Sequence, residues 1–128
     1  MGGHVKNPSY EQVVYTDTGH AETVEVIYDN SKISFEELTK YFFEIHDPTQ
    51  LNRQGPDVGK QYRSTIFYAN ESQKQVIEKL IEILKNKGFD VVTSIESVSD
   101  FYAAEAYHQN YYNNNGNLPY CHVYKKKF

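Results

Sequence analysis

Residues 62–98 constrain the fold most, because they switch between the two periods of regular secondary structure. Between Asn70, a helix-capping residue, and Gly88, a common helix stop, apolar residues recur at helical spacing, namely Val76, Ile77, Leu80, Ile81 and Leu84. Residues 62–68 and 91–98 on either side are rich in β-branched and aromatic residues and are typical of strands. This strand–helix–strand order predicts a layered α/β or α+β fold.

Three further elements are expected elsewhere in the chain. Residues 21–28 alternate apolar and polar side chains, which predicts a strand. Ser34 and Glu37 form a capping box, so a helix should begin there and end before Pro48. Residues 100–112 predict a short helix. About three strands make a thin sheet for a chain with 12 tyrosines and 7 phenylalanines.

Composition narrows the class of protein. The 128 residues, read as a single domain over 1–128, carry 13 basic and 17 acidic side chains and a formal charge of −4. That balance offers no electrostatic footprint for nucleic acid or an anionic membrane. No apolar run reaches the roughly 18–20 residues that span a bilayer. A lone cysteine, Cys121, forms no internal disulfide and favours a reducing, cytoplasmic location.

Two regions without clear periodicity attract functional interest. Residues 1–20 are expected to be irregular, and the long polar loop 46–61 is of a kind that is often functional. Glu22 lies just after the first of these regions. In an aromatic setting its carboxyl would act as a general acid, but a solvent-exposed strand carboxylate fits the pattern equally. Tyr10 and Tyr62 are candidate hydrogen-bond donors to a substrate, or packing residues.

Other chemistries find less support in the pattern. His46, Asp47 and Asp57 do not occur in a metal-binding helix motif, and no serine lies in a nucleophile elbow. His46 and Asp47 are therefore expected to stabilise a helix end. Cys121 lies between Tyr120 and His122, so it is either a reactive thiol or an inert one. The residues alone give a domain with a suspicious loop and no named reaction.

Several ordered segments together carry a specific resemblance. They are Asn7–Val13, Thr18–Glu22, His46–Gln50, Asn52–Ser64, Phe101–Tyr111 and Pro119–His122. The chain resembles the methionine sulfoxide reductase A (MsrA) family over essentially its whole length. The resemblance implies an α+β, ferredoxin-like two-layer sandwich of the MsrA type. It also implies reduction of the S-epimer of methionine sulfoxide, free or in proteins, with thioredoxin or dithiothreitol as the reductant and no bound cofactor or metal.

The resemblance also implies roles for individual residues. Glu22 matches the acid that protonates the sulfoxide oxygen, and Tyr10 and Tyr62 match the phenols that hydrogen-bond it. Asp57 matches a supporting carboxylate, and Cys121 matches the resolving cysteine. These roles suit the chemistry, because the S–O bond breaks only if its oxygen is protonated as the sulfur is attacked.

One departure from the family stands out. The family's nucleophile lies in a Gly-Cys-Phe-Trp motif, which this chain lacks, and the chain contains no tryptophan. Met1–Gly3 resembles a segment that follows this motif, so the chain is expected to be N-terminally truncated, without the first strand–helix–strand unit. Three hypotheses follow: a catalytically dead MsrA-type chain, one half of a split reductase, or a non-catalytic interaction domain whose exposed apolar face recruits partners or self-associates.

Overall fold

The computed structural model describes residues 1–109 and 124–128. The helices are α1 (Tyr10–Tyr15), α2 (Phe35–Glu44) and α3 (Glu71–Asn86). The strands are β1 (Arg53–Gln54), β2 (Asp57–Val58), β3 (Thr65–Tyr68) and β4 (Ser94–Ser97). Two 3-10 turns cover Lys60–Tyr62 and Ala106–His108.

The unit β3–α3–β4 forms the centre of the structure. Strands β3 and β4 pair in parallel, from Thr65 opposite Ser94 to Tyr68 opposite Ser97. A parallel pair needs a crossover, and α3 provides it. The side chain of Asn70 accepts a hydrogen bond from the Gln73 amide at 2.9 Å, which confirms the predicted cap. The strand–helix–strand prediction is confirmed, although both strands are shorter than the pattern suggested.

The core lies between the helices and one face of this small sheet. Its fully buried side chains come from α2 and α3, namely Phe43, Ile77, Leu80 and Leu84, with Ile81 at their edge. Ile66 and Tyr68 of β3 pack against them from the sheet. Residues of a strand alternate between faces, so Thr65 and Phe67 face the opposite side. That second face meets the N-terminal segment, since Phe67 lies against Gly2.

Helix α2 begins at the predicted cap, where Ser34 Oγ accepts a hydrogen bond from the Glu37 amide at 3.1 Å. At its other end the buried His46 ring closes the helix. Nδ1 donates to the Phe42 carbonyl at 2.5 Å, which leaves Nε2 to accept a hydrogen bond from the Ser64 hydroxyl at 2.7 Å. His46 thus ties the helix end to the residue before β3, which is the structural role the sequence suggested.

Two predicted elements are wrong. Residues 21–28 are not a strand, and Val24 and Ile27 are 85% and 92% exposed. No backbone amide from Thr23 to Tyr28 donates to an acceptor within the described part of the chain. The alternating apolar and polar side chains are therefore not accompanied by the hydrogen bonds of a β-sheet. The predicted helix 100–112 is reduced to the 3-10 turn Ala106–His108, and its last three residues lie outside the described ranges.

The expected irregular region 1–20 also needs correction, because it contains α1. Ser9 caps this helix: its hydroxyl accepts from the Gln12 amide at 3.2 Å, and the Gln12 side chain accepts from the Ser9 amide at 2.8 Å. This reciprocal cap explains how six residues hold a helical turn. The helices and small sheets together give the α+β class that was predicted. No helix in the described ranges is long and apolar enough to cross a membrane.

Candidate active site

The segment that delivers Glu22 is among the most firmly held parts of the molecule. Thr18, His20 and Ala21 are all buried, with exposures of 2%, 4% and 3%. The backbone groups of Met1 and Ala21 exchange two hydrogen bonds, at 2.9 and 3.0 Å. The Glu22 amide then donates to the Gln61 carbonyl at 2.8 Å. Glu22 is therefore fixed between the N-terminal segment and the turn that carries Tyr62.

The His20 ring joins the same two segments. Its Nδ1 accepts a hydrogen bond from the Gly3 amide at 3.0 Å, so its Nε2 carries the proton and donates to the Val5 carbonyl at 2.7 Å. The approach at Gly3 is so close that a Cβ there would lie 2.3 Å from the Thr18 carbonyl oxygen. Only glycine permits the two segments to approach this closely.

Tyr10 comes from the opposite side, on the first turn of α1. Its amide, which has no partner within the helix, donates to Glu105 Oε1 at 3.1 Å. Its ring packs against the imidazole of His108, with ring centroids 4.4 Å apart. The Tyr107 ring contacts the same imidazole at a tilted angle, with centroids 4.1 Å apart. Aromatic contacts thus join the turn Ala106–His108 to helix α1.

Asp57 and Tyr62 come from the long polar loop, which is more ordered than a loop of that length need be. Strands β1 and β2 pair antiparallel within it, with Gln54 opposite Asp57. The Gly59 amide donates to the Asn52 carbonyl at 2.8 Å, and the Tyr62 amide donates to the Gly59 carbonyl at 3.0 Å. Asp57 and Tyr62 both lie near enough to Glu22 for the charge of Asp57 to act on the Glu22 carboxyl and for both carboxylates to act on the Tyr62 phenol.

The surroundings of Glu22 raise the pKa of its carboxyl above the ordinary value. Burial of the carboxyl among protein atoms is the main cause, and the nearby Asp57 carboxylate adds to it, while His108 opposes the shift. Glu22 as a whole residue is nonetheless exposed to solvent. The carboxyl is therefore both partly desolvated and reachable, a combination that suits a proton donor.

Tyr62 responds to the same neighbours. Burial raises the pKa of its phenol, and the charges of Glu22 and Asp57 and the presence of Tyr10 raise it further. A hydrogen bond from the Gln61 side chain works in the opposite direction. The phenol consequently stays protonated at neutral pH and remains a hydrogen-bond donor. Four of the predicted site residues thus lie close to one another, namely Glu22, Tyr10, Tyr62 and Asp57.

The fifth predicted residue, Cys121, lies outside the described residues. Sequence reasoning missed two residues that line the site, Glu105 and His108. Both belong to residues 100–112, which were predicted to form a short helix. Only the resemblance of that segment to the MsrA family could have pointed to these two residues, because a single histidine or glutamate forms no periodic pattern.

The arrangement offers hydrogen-bond donors to an oxygen atom: one carboxyl with a raised pKa and two phenols. It is suited to holding an acceptor oxygen and giving it a proton. Among the residues that the structure describes, no group of three or more His, Cys, Asp or Glu side chains is placed to hold a metal ion.

A carboxyl and two phenols grouped on an α+β framework define a site suited to acid-assisted chemistry. Comparison with known proteins identifies the family. The sequence matches the peptide methionine sulfoxide reductase family over residues 1–128. It is 56% identical over 120 residues to a protein of Nautilia profundicola named peptide methionine sulfoxide reductase MsrA, covering 94% of this chain and 69% of that one. A second relative, MsrA 1 of Rhodopirellula baltica, is 53% identical over 122 residues, with coverages of 94% and 64%.

Solved structures agree with the sequences. The reduced form of Mxr1 from Saccharomyces cerevisiae superposes with a TM-score of 0.84 at 40% identity, covering 91% of this chain and 66% of that one. Methionine sulfoxide reductase A of Corynebacterium diphtheriae gives 0.78 at 36% identity, with coverages of 94% and 62%. The chain belongs to the peptide methionine sulfoxide reductase family and has its fold. It spans about two thirds of the length of these relatives.

Proposed function

We propose that this chain binds the S-epimer of methionine sulfoxide, free or in proteins, and supplies the acid half of its reduction. The observation that carries the proposal is the raised pKa of Glu22 inside a cluster that also contains Tyr10, Tyr62 and Asp57. A sulfoxide presents a strong acceptor oxygen and no donor. A protonated carboxyl flanked by two phenols complements such an oxygen.

In the proposed reaction Glu22 gives its proton to the sulfoxide oxygen while a thiolate attacks the sulfur. The sulfoxide gains two electrons and leaves as the thioether. The attacking thiolate loses two electrons and keeps the oxygen as a sulfenic acid. Burial and, to a lesser extent, the neighbouring Asp57 raise the pKa of Glu22, which favours the protonated carboxyl that the reaction needs. A second thiol then converts the sulfenic acid into a disulfide, for which thioredoxin is the proposed reductant.

Epimer-selective binding tests this function without requiring turnover. The probes are the two epimers of N-acetyl-methionine sulfoxide methylamide and the unoxidised parent, titrated into the full chain and followed by amide shifts near Glu22 and Tyr62. We expect the S-epimer to perturb these signals more strongly than the R-epimer, and the thioether to leave them unchanged. Equal responses to the three probes would refute the proposal. The control variant Tyr15→Phe should respond to the three probes as the wild type does, since Tyr15 is 78% exposed at the far end of α1.

The source of the thiolate needs a separate proposal. The sequence has one cysteine, Cys121, and no Gly-Cys-Phe-Trp motif. We propose that the 128 residues are inactive by themselves and that Cys121 has the resolving role. No cysteine in them matches the family's attacking one, and the chain has no tryptophan to help hold the substrate methyl group.

Turnover measurements check this second proposal. Purified chain is incubated with the S-epimer of dabsylated methionine sulfoxide and excess dithiothreitol, beside the variant Cys121→Ser. We expect no reduction by either protein. Reduction by the wild type that disappears in Cys121→Ser would mean that Cys121 attacks the substrate itself, and the proposed inactivity would be wrong.

A further inference from the structure

The site contains one polar atom that no described residue satisfies. His108 Nε2 is buried and has no hydrogen-bond partner within residues 1–109 and 124–128. Buried imidazole nitrogens are nearly always paired, because leaving one unpaired costs on the order of 1–3 kcal/mol. An orphan of this kind at the edge of a candidate site indicates a place for a ligand atom.

The His108 ring lies beside two of the proposed site residues, Tyr10 and Glu22. One side of the imidazole is covered by Tyr10, at 4.4 Å between centroids, and Tyr107 contacts it at 4.1 Å. The ring is also close enough to Glu22 to lower the pKa of that carboxyl. The imidazole thus contacts two tyrosine rings and lies near the proposed proton donor.

We propose that His108 Nε2 donates a hydrogen bond to the sulfoxide oxygen of the bound substrate. This inference rests on the proposed function and deepens it by adding a catalytic residue. The chemistry of the ligand decides the direction of the bond. The polar group of a methionine sulfoxide side chain only accepts hydrogen bonds, so Nε2 must donate.

The role suits an imidazole that packs against two tyrosine rings. A donor that is already oriented toward the oxygen strengthens as negative charge develops there, and it loses little entropy on binding. His108 would assist Glu22 in this task. The proton that breaks the S–O bond still comes from Glu22, because His108 contributes a hydrogen bond and keeps its own proton.

Nitrogen NMR of the histidine rings tests the proposal in the full chain. Dimethyl sulfoxide is the first probe, because it has a sulfoxide oxygen but no peptide group. We expect it to shift the His108 Nε2 resonance and leave that of the exposed His4 unchanged. A shift caused only by N-acetyl-methionine sulfoxide methylamide would show that Nε2 contacts the peptide backbone, which would overturn the proposal.

Two substitutions give an independent readout through affinity. His108→Phe keeps an aromatic ring against Tyr10 but removes the donor, and we expect sulfoxide affinity to fall by about 5- to 30-fold, the range for one lost hydrogen bond. His108→Gln retains an amide donor near the position of Nε2 and should recover part of that loss. His4→Gln is the matched control. Affinity unchanged in a well-folded His108→Phe would contradict the inference.

Failure of this inference is distinguishable from failure of the proposed function. If sulfoxide binds and perturbs Glu22 and Tyr62 but not His108, the function stands and the assignment of His108 is wrong. If sulfoxide perturbs none of the three, both are wrong. The amide spectrum of each variant shows whether it has kept the fold.

Discussion

At the scale of single residues, the site is built from side chains whose chemistry depends on their neighbours. Glu22 is an ordinary carboxyl whose pKa rises because protein atoms and Asp57 surround it. Neither cause is visible in the sequence, where Glu22 looks like any strand carboxylate. The resemblance to MsrA pointed to the residue, and the structure supplies a physical reason for its proposed role.

Gly3 shows how one residue far from the chemistry sets the position of the acid. A Cβ at this position would collide with the Thr18 carbonyl and the His20 amide, at 2.3 and 2.4 Å. We expect Gly3→Val to separate the two segments and to lower the free energy of unfolding by about 1–3 kcal/mol, as overpacking of a tight contact typically does. Urea denaturation measures the change.

The control for this variant is Val24→Ala, in the same region but at a side chain that is 85% exposed. It should change the free energy of unfolding by no more than about 0.5 kcal/mol. Because Glu22 follows the displaced segment, Gly3→Val should also bring the pKa of Glu22 closer to its ordinary value. A Gly3→Val protein as stable as the wild type would show that the contact is not tight in solution.

At the scale of elements, the predictions that succeeded depended on local signals. The caps at Ser34 and Asn70 and the apolar stripe of α3 fix where helices begin and which face they bury. These signals are contained within a few residues of each helix. Helix α1 also has a local signal, the Ser9–Gln12 capping pair. Residues 1–20 were nevertheless predicted to be irregular, because they show no clear periodicity.

The predictions that failed depended on partners. A strand needs a neighbour as well as alternation, and residues 21–28 have no paired strand among the described residues. Their exposed valines and isoleucine therefore do not form part of the core. Likewise, the segment around His108 packs through individual ring contacts, as between His108 and Tyr10. The predicted helix over residues 100–112 is therefore mostly absent from the part of it that the structure describes.

At the scale of the whole molecule, the site is an assembly of four segments that are distant in the sequence. Glu22 is positioned by the N-terminal residues, Tyr10 by α1, Asp57 and Tyr62 by the ordered loop, and His108 by its 3-10 turn. Hydrogen bonds from the Glu22 amide to Gln61 and from the Tyr10 amide to Glu105 hold these segments together. Composition and periodicity cannot predict such an assembly, because it depends on contacts between residues up to 95 positions apart.

The central claim is that protonated Glu22 binds the sulfoxide oxygen, and the pH dependence of affinity tests it most directly. Neutral Glu22 donates to that oxygen, whereas its carboxylate repels it. Affinity for N-acetyl-methionine-S-sulfoxide methylamide should therefore be highest at low pH. It should fall as pH rises through a pKa that lies above the ordinary value for glutamate.

The comparison protein for this measurement is Glu22→Gln, which keeps an amide donor but cannot ionise. All other titratable groups are present in both proteins, so the difference between the two curves isolates Glu22. We predict that the sulfoxide affinity of Glu22→Gln does not fall as pH rises through the pKa of Glu22. Identical pH profiles for the two proteins, or a wild-type affinity that increases with pH, would contradict the account.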